Sequence, residues 1–493
     1  MEPAPFSQST EVPFALRRDP RRQDFVGGVV FRGAKALSSA VVAILAGAAL
    51  RIWMLRKFFE VNGDSQLYGD MAKNLLLYGR YAVTDGTGML HSTLIRLPGY
   101  PLSLALCFRI FGMENYFSAA CVQIPLELLG CVLLAAVASR ITPPQGRVPA
   151  AHATLWLAAL CPFTAIYAAQ PLTEAPTLFA IAVALWALVR YQNTRGWGCA
   201  LTFTFAVTYA ALLRPDGALV GAALFLPMVR AVWPAGDLLG AHRRKLAVCL
   251  LLTLAPFTLW TIRNARVFHV FQPLAPRYAT DPGENTWPGW QRWIKTWCLD
   301  FDSTYQVYWA MPGSPLDMKY LPARAIDSPP QSAETAKLFA DYEANGEELS
   351  AELDARFAHL ADERIAAHPW RSHVLLPLGR MADMWLRPRV ENLPIDLDWW
   401  VYKHHYAETR FSWFYAGLDA FYLLLGLAGL LMRPRLWQWM LLYMLLRSAL
   451  LCTIEAPEAR YTLECFPMLF VLGGVALGRL FSRRTTRPAA VPV

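Results

Sequence analysis

The chain has 493 residues, 55% of them hydrophobic and 17% charged, with a mean hydropathy of +0.28. Charge this sparse, beside repeated apolar runs near membrane length, excludes an ordinary soluble domain and indicates a polytopic membrane protein. The net charge of +9 does not point to nucleic acid, because the basic residues gather at the ends of apolar runs and no RNA- or DNA-binding motif accompanies them.

In chain order the apolar runs are 36–55, 117–139, 151–168, 175–190, 198–213, 217–233, 245–262, 412–432, 436–453 and 462–481. A run of about 20 residues crosses a hydrocarbon core of roughly 30 Å. Arg17, Arg18, Arg21, Arg22, Arg32 and Lys35 precede the first run. Every second turn repeats the signal: Arg140 and Arg147, Arg190 and Arg195, Arg243 to Lys245, Arg433 and Arg435, then Arg483, Arg484 and Arg487 after the last run. Lys and Arg mark cytoplasmic flanks, so ten spans with both termini cytoplasmic are expected. Residues 1–35 are too long and polar for a cleavable signal peptide, which makes the first run an uncleaved anchor.

The expected organisation is a basic cytoplasmic tail (1–35), a seven-span transmembrane module (36–262), an extracytoplasmic loop domain (263–411), C-terminal spans (412–481) and a cytoplasmic tail (482–493). The external loops are then 56–116, 169–174, 214–216, 263–411 and 454–461. Between Asp281 and Arg371 stand 8 Lys/Arg against 15 Asp/Glu, an acidity compatible with a long translocated loop. Of nine cysteines, Cys298 stands alone in that loop, so no disulfide framework is visible.

Within the first external loop, Leu67, Met71, Leu75 and Tyr78 recur at helical spacing with Asp70, Lys73 and Asn74 off that face. This predicts an interfacial helix from Asp64 to Tyr78, closed by Gly79. A second interfacial helix is expected over Pro98–Phe111, and one polar helical stretch over Ser332–His368. The segment 374–385, interrupted by Pro377 and Arg380, is too short and broken to span and is read as a surface helix.

Several residues carry chemistry or mimic it. Asp64, in Gly63-Asp-Ser65, is either a helix N-cap or a base at the water–lipid boundary. Arg96 is an interfacial anchor or an anion contact, and Arg263, Asn264, Arg460 and Tyr461 at outer span ends carry the same two readings. Glu174, in the short turn Gln170-Pro-Leu-Thr-Glu-Ala-Pro176, faces open water or a cavity beneath the first loop. Glu127 lies inside the second run, where a carboxylate must be paired or protonated. Arg214-Pro-Asp-Gly217 reads as a structural turn. Asp396-Leu-Asp398 and Asp300-Phe-Asp302 match a metal-chelating pattern only at the level of chance. No zinc spacing and no phosphate-cradling glycine loop is present.

Three strings in the first loop nevertheless go together: Gly63-Asp-Ser65 with Tyr68, Ala72-Lys-Asn-Leu-Leu-Leu-Tyr-Gly-Arg-Tyr81, and Ile95-Arg-Leu-Pro-Gly-Tyr-Pro-Leu102. They resemble the first external loop of GT-C glycosyltransferases, in the bacterial branch related to protein O-mannosyltransferases and lipid A aminoarabinose transferases. Leu259-Trp-Thr-Ile-Arg-Asn264 with Phe268, and Glu458-Ala-Arg-Tyr461, agree with that resemblance. It implies an all-α polytopic fold, a GT-C-type transmembrane bundle with external interfacial helices and a large external loop region, in a bacterial inner membrane. It also implies a polyprenyl-phosphate sugar donor and inverting transfer to an extracytoplasmic glycan, lipid or protein acceptor. Asp64 would be the base and Glu174 a second acid. Arg96, Arg263, Asn264, Arg460 and Tyr461 would meet the phosphate end, and Tyr68, Tyr81 and Tyr100 would line the sugar pocket. A divalent cation is the one cofactor the resemblance leaves open. Ser65 departs from the mannosyltransferase pattern, which has a second acid there, and this speaks against protein O-mannosylation. The rival readings are a transporter or flippase of lipid-linked sugars, a non-catalytic lipid-binding protein, and an oligosaccharide ligase on the same scaffold. No paired halves of the kind common in transporters are visible.

Overall fold

Apolar runs become helices because a bilayer leaves no partner for backbone polar groups outside the helix itself. The computed structural model describes residues 34–230 and 239–485; Arg17, Arg18, Arg21, Arg22, Arg32 and Arg487 lie outside them, as do the side chains of Lys35, Arg483 and Arg484. The first helices are α1 (Ala34–Phe58), α2 (Gly63–Tyr78), a hairpin of β1 (Ala82–Thr84) and β2 (Leu90–Ser92), α3 (Gly99–Phe111) and α4 (Tyr116–Ile141). Next come α5 (Arg147–Ala159), α6 (Pro162–Ala168), α7 (Glu174–Thr194), α8 (Trp197–Leu213), α9 (Ala218–Arg230) and α10 (Leu239–Phe268). The segment 269–405 holds α11 (Pro288–Lys295), the single turn α12 (Phe301–Ser303), α13 (Pro329–Ala344), α14 (Ala351–Ala367) and α15 (Leu376–Leu386). The chain closes with α16 (Tyr406–Leu431), α17 (Trp437–Leu451) and α18 (Phe466–Thr485).

All ten apolar runs are helical over most of their described length. Among the described residues, six helices are long and apolar enough to cross a membrane, and a seventh crossing results if α5 and α6, bent by 55°, count as one. That bend lies at Cys161, held extended before the Pro162 ring at the start of α6. The runs 198–213, 217–233 and 436–453 give shorter helices of 17, 13 and 15 residues. At 1.5 Å per residue, α8 is about 25 Å long. Its C-terminal end is turned back by Pro215, and Gly217 lies so close that a Cβ there would stand 2.1 Å from the Ala210 carbonyl oxygen. The Leu213 end of α8, the turn that opens α9 and the Leu451 end of α17 line one cavity and form its floor.

α18 runs through the bundle between α5 and α16. Small residues let the backbones close: a Cβ on Gly429 of α16 would stand 1.9 Å from the Leu472 carbonyl oxygen. Gly429→Val is expected to push these helices apart at a cost of about 1–3 kcal/mol, measurable as a lower melting temperature in detergent; an unchanged melt would show the contact to be slack. Inside the bundle Glu127 is paired, as its burial demands: Arg51 Nε and Nη2 donate to its carboxylate at 2.7 and 3.0 Å.

The first-loop helices form where the sequence places them, with one correction. Asn62, not Asp64, caps α2, its side-chain oxygen accepting from the Ser65 amide at 3.0 Å. Gly79 ends the helix at φ +63°. Asn74, expected on the polar face, is buried because its amide donates to the Ala82 carbonyl and the Thr84 hydroxyl. Along α3, Leu102, Leu106 and Ile110 stay exposed at a four-residue spacing, as an interfacial helix requires.

The expected helix over 332–368 is two helices, broken at Gly346 (φ +74°) with a fresh cap at Ser350. With α11 they enclose a separate core of Trp290, Trp293, Trp297, Phe339, Tyr342 and Phe357. α15 has 11 residues, too few to span. Its Arg380 is buried because it donates to the carbonyls of Lys295 and Cys298 at 3.1 and 3.0 Å.

Candidate active site

The first turn of α2 carries Asp64, and Ser65 pins that turn to the α6–α7 connection by donating to the Pro171 carbonyl at 3.0 Å. Past the hairpin, Arg96 reaches back so that Nη2 lies 3.0 Å from Asp64 Oδ1. From the other end of the chain, Arg460, in the 3-10 turn that leads into α18, brings Nη2 to 3.5 Å from Asp64 Oδ2. The same guanidinium lies 2.6 Å from Glu458 and 3.8 Å from Glu174. Glu174 opens α7, is almost fully buried, and takes Arg214 at 3.0 Å, while its Oε2 has no protein partner. Arg214 continues to Asp216 and Glu464, each at 3.4 Å. Arg447 closes the series on the same two acids at 2.9 and 2.7 Å.

Acids and guanidiniums thus alternate from Arg96 to Arg447. Burial alone would raise the Asp64 carboxyl, but Arg460 first and Arg96 next outweigh it and hold the group below the usual carboxylate range. Asp216 follows the same logic: burial raises it, and Arg447 and Arg214 bring it below its ordinary value.

Two cavities meet at Asp64. One, of about 460 Å³, has Tyr68, Leu172, Leu213, Leu450, Leu451 and Ile454 among its walls. The other, of about 670 Å³, is lined by Glu60, Tyr167, Phe301, Tyr305, Glu391 and Asn392 among others. Asp64, Arg96, Arg277, Trp309, Arg460 and Tyr461 belong to both.

Of the residues singled out in the sequence, Asp64, Tyr68, Arg96, Glu174, Arg460 and Tyr461 come together here. Tyr461 donates from its hydroxyl to Glu458. Tyr100 stands one layer behind: it meets Tyr68 edge-on at 5.2 Å and donates to Gln123 at 3.0 Å. Tyr81, Arg263 and Asn264 line neither cavity. Arg263 donates to the carbonyls of Thr93 and Tyr81 at 2.7 and 2.9 Å, within a cage of Tyr81, Trp260 and Phe268 rings. Asn264 donates to the Gln272 carbonyl at 2.8 Å, and Tyr81 to the Arg96 carbonyl at 3.1 Å. These three therefore stand outside both cavities: Arg263 of α10 holds the carbonyls at the base of the hairpin, and the donors of Asn264 and Tyr81 are taken by the Gln272 and Arg96 carbonyls.

Sequence reasoning missed other groups. Arg214 and Asp216, read as a plain turn, sit in the ionic series. Arg447 and Glu464 were findable as ionisable residues within apolar runs. Arg277 and Trp309 lie where no motif marks them. Asp300 caps α12 by accepting from the Ser303 amide at 2.9 Å and pairs with Arg324. Asp396, Asp398 and His405 offer ligand atoms within 4.8 Å of one another, and are the described residues best grouped for a cation. They line neither cavity, and both acids are exposed.

No protein-family model matches the chain, and no curated protein matches it in sequence. The chain is similar to solved structures. One is an oligosaccharyltransferase of Archaeoglobus fulgidus tethered to an acceptor peptide, at 14% identity and a TM-score of 0.48 over 92% of this chain and 50% of that one. Another is ArnT from Cupriavidus metallidurans bound to undecaprenyl phosphate, at 15% identity and a TM-score of 0.39 over 92% of this chain and 79% of that one. The chain spans about half the length of the archaeal oligosaccharyltransferase.

Proposed function

We propose that this protein is a GT-C-type membrane glycosyltransferase that moves a sugar from a polyprenyl-phosphate donor to a hydroxyl of a glycan, lipid or protein on the extracytoplasmic side. The observation that carries the reading is Asp64, held between Arg96 and Arg460 where a mainly apolar cavity meets a polar one. The resemblance of the first-loop strings supports the same assignment.

In this reaction the acceptor oxygen attacks the anomeric carbon as the bond from that carbon to the phosphate oxygen breaks, inverting the centre. The acceptor proton passes to Asp64, and the lipid phosphate leaves with the bonding electron pair. Charge growing on that phosphate needs cations. The planar guanidiniums of Arg96 and Arg460 suit it, since each can offer two donors to phosphate oxygens. In the free protein both are engaged by Asp64, which makes the carboxylate a weak base. A phosphate that draws the guanidiniums toward itself leaves Asp64 less stabilised as an anion, so donor binding strengthens the base. Glu174, beside Arg214 and Arg460, acts in this scheme as a positioning residue for Arg460.

The test uses the full chain in lipid nanodiscs with labelled polyprenyl-phosphate sugars and an envelope extract as acceptor source. Release of polyprenyl phosphate is expected, and Arg96→Ala should lower kcat/KM for the donor by about 10–100-fold, the worth of a hydrogen bond between charged groups. Consumption of pyrophosphate-linked oligosaccharide alone would replace this reading with a ligase. Movement of intact lipid-linked sugar across the bilayer would replace it with a flippase.

A further inference from the structure

We infer that the end of the bundle opposite Asp64 holds a phosphate site for an anionic phospholipid headgroup, built by Arg195, Arg230 and Arg435. The inference stands apart from the transferase reading, because none of these residues lines either cavity at Asp64.

Three helices carry the geometry. α7 opens at Glu174 and is closed by Arg195, α9 opens behind Asp216 and ends at Arg230, and α17 starts after Arg435 and ends at Leu451. Glu174, Asp216 and Leu451 all line the smaller cavity at Asp64, so each helix runs from that cavity toward one arginine. At 1.5 Å per residue the 21 residues of α7 separate the two ends by about 30 Å, the thickness of a hydrocarbon core. The arginines therefore lie at the other boundary of the bilayer, the one that the Lys/Arg pattern assigns to the cytoplasm.

There Gln192, Arg195, Pro227, Arg230, Arg435 and Trp439 line a cavity of about 280 Å³, with no carboxylate among them. α9 packs on both α7 and α17, so three separate elements bring one guanidinium each. Basic residues at this boundary are expected of any membrane protein, and several of them here find a partner. Arg190 covers the Trp186 ring, Arg433 covers Trp437, Lys245 donates to the Arg195 carbonyl and Arg479 to the Met432 carbonyl. Arg195, Arg230 and Arg435 differ: among the described residues their guanidiniums have no acid, carbonyl or ring as partner. A cation that merely closes a helix would donate to its last carbonyls, and Arg195 and Arg230 do not. Arg243 and Arg244 of α10 are exposed at the same boundary, but they do not line this cavity.

Three like charges around one hollow repel one another, and an anion between them relieves that repulsion. A phosphodiester fits, since its oxygens take planar guanidinium donors in pairs. The carbonyl ends of α7 and α9 disfavour an anion, so the attraction has to come from the arginines, helped by the α17 N-terminus, which has no side-chain cap. A free phosphate offers the same oxygens as a lipid. The lipid is favoured because the cavity lies at headgroup level, where Trp439 and the exposed Leu226 beside Pro227 give glycerol and acyl chains an apolar edge.

The experiment titrates full-length protein in nonionic detergent with phosphatidylglycerol, phosphatidylcholine and inorganic phosphate. Bound lipid is read by native mass spectrometry and stabilisation by melting temperature. Phosphatidylglycerol should bind and raise the melting temperature, and the other two should do neither at equal concentration. Arg230→Gln should weaken phosphatidylglycerol binding about fivefold, and adding Arg195→Gln and Arg435→Gln should bring the loss to about a hundredfold. Arg243→Gln with Arg244→Gln removes two charges from the same boundary and should leave binding unchanged. If the triple variant fails to insert, the single variant decides. Unchanged binding in Arg230→Gln, or an equal loss in the Arg243 and Arg244 control, would show only a diffuse basic rim. Phosphatidylcholine bound as tightly would show no recognition of charge, and inorganic phosphate bound as tightly would show a site for a soluble anion. Any of these results overturns the inference.

Discussion

Asp64→Asn is expected to lower transfer by about 10²–10⁴-fold, the range a positioned general base contributes. Asparagine keeps the size of the carboxylate and an oxygen that accepts from Arg96, so the geometry around the 3.0 Å contact survives. What it cannot do is take a proton. Loss of the negative charge also weakens the hold of position 64 on Arg96 and, beside Glu458, on Arg460, so affinity for polyprenyl phosphate should hold or rise while turnover collapses. That split separates a base from a structural acid, whose removal would lower both. Transfer within tenfold of the wild type would remove Asp64 from the role.

The pH dependence follows from the same pairs. Because Arg460 and Arg96 hold the Asp64 carboxyl below its ordinary range against the effect of burial, kcat/KM should stay level as pH falls toward that range and decline only beneath it. The stabilising contribution of these pairs has the same sign. It is fully present above the unfolded-state value of the carboxyl and is lost as pH drops through the lower folded-state value.

Removing one partner of the Arg51–Glu127 pair should cost about 3–5 kcal/mol of stability, far more than any surface pair. Both side chains are buried, and Arg51 also donates to the carbonyls of Gly47 and Ala159 at 3.0 and 2.7 Å. Arg51→Met therefore strands Glu127 as an unpaired acid and leaves carbonyls unmatched, while Glu127→Leu strands the guanidinium. Combining the two substitutions takes both charges out together and is expected to recover much of the loss, because a buried ion pair barely offsets its own desolvation. Melting temperatures of the four proteins in one detergent would decide it. Additive losses in the double variant would show that the pair is not the reason either residue matters.

The local features were legible for local reasons. Hydrophobic runs had to become helices, because a segment in lipid can satisfy its backbone only within itself. The α2 and α3 helices of the first loop were readable from residue spacing, turn residues and length. Glu127 had to have a partner, but nothing near it in sequence named Arg51, 76 positions away. Of the two readings left open for Asp64 the structure removes the cap, because Asn62 and Asp64 are equally able caps and the choice depends on where the backbone enters the helix.

The site itself is a property of the folded chain. Asp64 and Arg460 are 396 positions apart, and they meet only because α18 packs against α5 and α16 and carries the turn before it to the first turn of α2. Arg96 and Arg263 looked alike along the chain, each a guanidinium at the outer boundary of the membrane. One faces Asp64 and the other faces backbone carbonyls, and the docking of the β1–β2 hairpin on α10 separates them. Periodicity and composition act over a few turns of helix, so they dictated which segments enter the bilayer and which lie on it. Which charges face one another was decided by packing, since the partner of a buried ion is whatever the fold brings within about 4 Å.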